Sequence, residues 1–138
     1  MIEANTQRAE MMLRALHEHS TDESTDEVAT FIHPEAEMRL LVSFGKPVQG
    51  RAAIVAALEK GREAAFYRAR VNHFEWLDER RLLTFAFARY ALEGGGFAES
   101  NVYWLDELHE GLIWRVTVFR SEEEARRAYE DGFEERTR

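Results

Sequence analysis

Hydrophobic and polar residues change their period along this chain in a definite order. Ala9, Met12, Leu13 and Leu16 recur at helical spacing, which predicts an amphipathic helix over about Thr6–His19. Ser20-Thr21-Asp22-Glu23 breaks it, and Ser24 with Glu27 has the spacing of a capping box. A short helix burying Val28, Phe31 and Ile32 is expected next. It ends at His33-Pro34, because the residue before proline disfavours helical backbone. From Glu35 to Phe44 the period becomes two. Ala36, Met38, Leu40, Val42 and Phe44 share one face of a predicted strand, and Glu35, Glu37, Arg39, Leu41 and Ser43 share the other. Gly45-Lys46-Pro47 turns the chain, and Gly50-Arg51 opens a helix with a narrow stripe of Ile54, Leu58, Gly61 and Ala65.

Four long strands follow, over about Tyr67–Leu77, Arg81–Leu92, Phe97–Asp106 and Leu112–Phe119. Asp78-Glu79-Arg80-Arg81, Gly94-Gly95-Gly96 and His109-Glu110-Gly111 separate them. Ser121 and Glu124 form a second capping box, so a closing helix runs from Glu122 to about Tyr129, capped near Gly132. With no internal repeat or linker, residues 1–138 read as one domain, and 133–138 as a flexible tail. Helices first and strands afterwards predict an α+β fold in which a cone-shaped, curved antiparallel sheet wraps around the N-terminal helices.

The order of elements resembles the nuclear-transport-factor-2-like superfamily, which includes ketosteroid isomerases and SnoaL-type polyketide cyclases. Three patterns carry the resemblance: His33-Pro34-Glu35-Ala36-Glu37 leading into the first strand, Gly50-Arg51-Ala52-Ala53-Ile54 opening a helix, and Glu110-Gly111-Leu112-Ile113 starting the last strand. It implies a SnoaL-like cone, or cystatin-like roll, with a closed-end pocket. One fold hosts many activities, so it implies no particular reaction. The catalytic aspartate of the isomerases falls at about Leu41, which cannot abstract a proton. Their second aspartate falls at Tyr103, which can donate to an oxyanion.

Composition narrows the partners. A net charge of −8 without a basic stripe argues against nucleic acid and anionic membrane. The absence of cysteine excludes disulfides, thiolate metal sites and a cysteine nucleophile. The first residues lack the basic start and apolar run of a signal peptide, and no apolar run is long enough to span a bilayer, so the expectation is a soluble, cytoplasmic protein.

Four-residue hairpin loops without bulges place Leu77 opposite Leu82, Glu75 opposite Thr84 and His73 opposite Ala86, and the resemblance extends that parity so that the sheet is expected to have two faces. One carries Val71, His73, Glu75, Thr84, Ala86, Ala88, Glu99, Asn101, Tyr103, Val116 and Val118, a mixture of small and polar residues that suits a ligand pocket. The other carries Phe74, Trp76, Leu83, Phe85, Phe87, Val102 and Trp104. As an exposed patch it is too apolar for a monomer, so Phe74, Trp76, Phe85, Phe87 and Trp104 are expected to meet a second copy of the chain. The alternative is that this aromatic face is the core against the helices.

On the expected pocket face, His73 and Glu75 lie two apart on one strand and form either a proton-transfer pair or a simple hydrogen-bonded pair. Tyr103 is the candidate electrophile, with His73 or Glu99 as base. Glu75, Thr84, Ala86, Ala88, Asn101, Val116 and Val118 are expected to touch the ligand, with Arg39 at the mouth or paired with Glu37 on the surface. Neither a metal site nor a cofactor is expected. His17 and His19 point in different directions on a helix, while His33 and His109 belong to a helix end and a turn. Three readings follow: a dimeric protein binding a small apolar or aromatic molecule, a cyclase- or isomerase-type enzyme acting on an aromatic ketone or lactone, and a non-catalytic interaction domain.

Overall fold

Two N-terminal helices, α1 (Ile2–His17) and α2 (Thr25–Ala29), lead into strands β1 (Ile32–Arg39) and β2 (Pro47–Gln49) and helix α3 (Arg51–Glu63). Strands β3 (Tyr67–Trp76), β4 (Arg81–Ala91), β5 (Phe97–His109) and β6 (Leu112–Phe119) follow, and α4 (Glu122–Thr137) closes the chain. The structure, a computed structural model, describes residues 2–18, 25–63 and 67–137. The expected Ser24–Glu27 capping box and the end of the first helix at His19 lie outside the described residues. No helix among those described is long and apolar enough to cross a membrane.

All six strands form one curved sheet in the order β2-β1-β6-β5-β4-β3. Neighbours are antiparallel except β1 and β6, which run parallel. The concave side holds the core. Met12, Leu13 and Leu16 from α1, Ile54 and Leu58 from α3, and Met38, Leu82 and Trp104 from the sheet are all buried there. β3 is an edge strand, and α1 covers it. Glu18 accepts from the Val71 N–H at 2.7 Å, and Arg14 donates to the Val71 carbonyl at 3.2 Å. Such cover removes the hazard of an open strand edge.

Several boundaries differ from those expected: α1 starts at Ile2, α2 ends at Ala29 so that Phe31 and Ile32 leave the helix, and β5 runs on to His109. β1 begins at Ile32, because Phe31 passes its carbonyl to the Ile113 N–H of β6 and so starts the ladder three residues early. It ends at Arg39, before the alternating pattern does. Ser43 accepts from the Leu40 N–H and donates to the Lys46 carbonyl, which winds Leu41–Ser43 into a 3-10 turn and puts Phe44 at φ 55°. Ser121 caps α4 as expected, accepting from the Glu124 N–H at 3.1 Å. Gly132 lies within that helix instead of ending it.

Register decides which residues face inward, since directly paired residues point to the same side of a sheet. Ala91 pairs with Phe97, so the β4–β5 turn holds residues 92–96, one more than a four-residue loop. That single residue reverses the whole of β5. Val102 and Trp104 face the core, and Glu99, Asn101 and Tyr103 face outward beside Phe85 and Phe87. Trp76 pairs with Leu82, again one residue longer than expected, so Phe74 and Trp76 turn inward and His73 and Glu75 outward. A bulge between Val71 and His73 then restores the expected parity, and Val71 is buried. Phe74, Trp76 and Trp104 therefore belong to the core side, not to an external aromatic face.

Candidate functional site

Among the described residues the concave face is mostly apolar, with a Tyr90–Ser100 hydroxyl contact of 3.0 Å and one fully buried group that includes ionisable side chains. His17, in the last turn of α1, is 1% exposed, and Asp106 of β5 and Thr84 of β4 are fully buried. Nε2 of His17 lies 3.0 Å and 3.2 Å from the two Asp106 carboxylate oxygens. The Thr84 hydroxyl donates to the same carboxylate. Trp104, directly opposite Thr84 on β5, lies flat against the imidazole with ring centroids 4.0 Å apart and planes 19° apart.

Each member arrives by ordinary local rules. His17 follows Leu13 by one helical turn and so extends the apolar stripe of α1. Val102, Trp104, Asp106 and Leu108 alternate on β5, which sends a carboxylate to the core face. Burying polar groups in such surroundings is unfavourable unless they are hydrogen-bonded to one another, and here they are. One donor is left over: Nε1 of Trp104 is buried without a hydrogen-bond partner among the described residues. Trp104 also lines a cavity of about 10 Å³, together with Leu16, His17, Leu40, Leu41, Val42 and Leu58. That is close to the space one water molecule needs.

A larger opening lies toward the start of α1. Between that helix and the β3–β4 and β5–β6 turns is a cleft of about 910 Å³. Ala9, Met12, Trp76 and Leu108 contribute apolar surface to it, and Arg8 and Arg80 contribute cations. Met12 lines this cleft and Leu16 the small cavity, one helical turn apart on the same helix.

The residues expected to form the site divide between the two faces. Thr84, Ala86, Ala88, Val116 and Val118 lie on the concave side as expected, Val118 being partly buried. His73, Glu99, Asn101 and Tyr103 do not. His73 stacks on Phe85 at 4.1 Å, and Phe85 meets Tyr103 edge-on at 5.6 Å, which makes an external aromatic ladder across β3, β4 and β5. The loop lengths above are the reason. Glu75 also points outward, where Arg126 of α4 donates to both its oxygens at 2.7 and 2.8 Å. Those hydrogen bonds hold its carboxyl below the usual value. Arg39 is exposed on the face opposite buried Met38 and lines neither the cleft nor the small cavity. His17 and Asp106 were not among the expected site residues, although both lie in register with apolar neighbours.

No family model and no curated protein matches this sequence. Solved structures do. A candidate polyketide cyclase from Xanthomonas campestris pv. campestris is 23% identical over 87% of this chain and 95% of its own, with a TM-score of 0.60. An NTF2-like protein of unknown function from Burkholderia pseudomallei is 15% identical over 89% of this chain and 95% of its own, at 0.62. The chain has the nuclear-transport-factor-2-like fold. A third structure of this fold, from Mycobacterium tuberculosis, was solved with estradiol-17β-hemisuccinate. It is 11% identical over 86% of this chain and 95% of its own, at 0.62. In the present nuclear-transport-factor-2-like cone many side chains of the concave side are buried against one another, and the His17–Asp106 pair is buried among them.

Proposed function

We propose that this protein binds a small, largely apolar molecule on the concave side of its sheet, with His17 and Trp104 as the polar contacts. The observation that carries this reading is the buried Trp104 Nε1–H, which has no partner although it lies against a satisfied imidazole–carboxylate network. A ligand oxygen in that position would supply the missing acceptor. The cleft at the start of α1 has the volume of a small-molecule site and an apolar floor. Met12, flexible and unbranched, is the side chain that would move to join the cleft to the inner cavity. Ligand binding by structures of the same fold supports the reading: one holds estradiol-17β-hemisuccinate, and another is a computationally designed 17-OHP binder.

Native mass spectrometry of freshly purified protein tests it. An adduct lost on denaturation, or a saturable rise in melting temperature with estradiol-17β-hemisuccinate as probe, is the expected result. Neither adduct nor stabilisation by that probe or by simple aromatic ketones would contradict the proposal.

A second reading is proton transfer at the same place. An imidazole and a carboxylate 3.0 Å apart in an apolar interior form a unit that can hold or pass a single proton. It would act on a ketone or lactone whose oxygen meets the Trp104 N–H. His17 and Asp106 take the roles that Tyr103, His73 and Glu99 cannot fill from the outer face.

We further infer that the outer aromatic residues meet a second copy of the chain. Phe87 is 46% exposed next to the His73–Phe85–Tyr103 ladder. An antiparallel sheet face of this kind suits a two-fold interface.

A further inference from the structure

We propose that His33, His109 and Glu110 form a binding site for one zinc-class divalent metal ion at the rim of the cleft. The fold brings together residues from opposite ends of the sequence. His33 is the second residue of β1, His109 the last of β5, and Glu110 the first residue of the turn into β6. Their three ligand atoms all lie within 4.8 Å of one another. Glu110 Oε1 is 3.1 Å from Nε2 of His33 and 3.3 Å from Nε2 of His109. Zinc bonds of about 2.0–2.1 Å in a tetrahedron put neighbouring ligand atoms about 3.3 Å apart, so two of the three edges are already at the required length.

The ligands are held in place. His109 packs against Trp114, with ring centroids 4.7 Å apart. Glu110 occupies the left-handed region at φ 54°, which is uncommon for a residue with a side chain. Before metal binds, His33 accepts at Nδ1 from the Glu35 N–H at 3.0 Å, a bond that binding gives up. Two imidazoles and a carboxylate are the donor set that suits zinc, and three protein ligands leave a coordination position for water or a ligand. The overall charge of −8 adds a general attraction for cations.

The hydrogen bond at Nδ1 makes the chemistry specific. Without metal it fixes the His33 proton on Nε2, from which it donates to Glu110. Zinc at Nε2 needs that nitrogen's lone pair, so the ring's single N–H proton must pass by way of solvent from Nε2 to Nδ1. The Glu35 N–H loses its acceptor as a result. Binding is therefore expected to move the Glu35 amide resonance even though Glu35 is not a ligand.

The test is isothermal titration of the full chain with zinc chloride, together with the Glu35 amide shift. The expected result is one saturable ion per chain and a shifted Glu35 amide. Affinity should fall at least tenfold in His109→Ala, at a half-buried position, and in Glu110→Gln, at an exposed one, with circular dichroism showing that both variants fold. No saturable binding, or binding of the same strength in both variants, would overturn the proposal, because the ion would then lie elsewhere or not bind. Neither outcome depends on the ligand proposed for the interior.

Discussion

The imidazole of His17 lies 4.0 Å from the indole of Trp104 and nearly parallel to it, with both rings at most 1% exposed. The contact joins the C-terminal turn of α1 to the middle of β5. It fixes the position of the buried His17–Asp106–Thr84 network on the concave face.

If that network is kept for function, its parts should be costly to remove singly and cheap to replace together. Asp106→Ala strands His17 and Thr84 without their common acceptor and is expected to lower stability by about 3–5 kcal/mol. The triple variant His17→Leu, Thr84→Val, Asp106→Leu should recover most of the loss. Urea unfolding measures both, and a triple variant no more stable than the single one would show that the network is structural.

The two sides of the sheet should respond oppositely to charge. Trp104→Glu puts a carboxylate into the packed interior and is expected to prevent folding. Phe87→Glu, at an exposed position, should leave the circular dichroism unchanged and shift the molecular mass by light scattering from dimer to monomer. A folded Trp104→Glu protein would show that the concave face is misassigned. An unaltered mass after Phe87→Glu would remove this part of the outer face from the interface.

Glycines in two helices should also behave oppositely. A Cβ at Gly61 would lie 2.5 Å from Cγ1 of Val42, whereas nothing lies within 4 Å of one at Gly132. Gly61→Ala is expected to cost about 1–3 kcal/mol by overpacking, despite the better helix propensity of alanine. Gly132→Ala should stabilise by about 0.5–1 kcal/mol. Thermal melts that rank them the other way would contradict the packing of α3 against the 3-10 turn.

Acid should loosen α4. Hydrogen bonds from Arg126 hold the Glu75 carboxyl below its ordinary value of 4.5. A depressed folded-state value contributes stability above the unfolded pKa, and the contribution is lost as pH falls through the folded value. Both groups are more than a third exposed, so the pair contributes under about 1 kcal/mol. Glu75→Gln should therefore be slightly less stable than the parent near neutral pH and equal to it in strong acid. A gap that does not close on acidification would mean that Glu75 acts through packing.

Much of the fold was legible because it rests on period. The long strands, the helix stripe of Ala9, Met12, Leu13 and Leu16, and the Ser121 cap all follow from local pattern. Inside and outside were harder, because a sheet reverses its faces with one residue of loop. The extra residue in 92–96 moved Trp104 in and Tyr103 out, and the bulge beside Asn72 separated Val71 from His73. Polar character drew attention to His73 and Glu99, which are exposed. His17 figured only as half of a metal pair that its helix positions exclude and Asp106 only as a strand end, yet a titratable residue in step with an apolar stripe was the signal. The His33–His109–Glu110 cluster could not be read from the sequence at all, since it exists only once β1 lies beside β6 and the β5–β6 turn.

The most direct test of the interior site is the indole region of a two-dimensional nitrogen–proton spectrum, recorded while a ligand recovered from the protein, or estradiol-17β-hemisuccinate, is titrated in. Three tryptophans, Trp76, Trp104 and Trp114, give three signals, assigned by single Trp→Phe variants. The Trp76 N–H already donates to Glu10. A large, saturable downfield shift of the Trp104 signal is expected as its N–H gains an acceptor. Saturable binding that leaves Trp104 unmoved would place the ligand outside the cone and rule out the interior site.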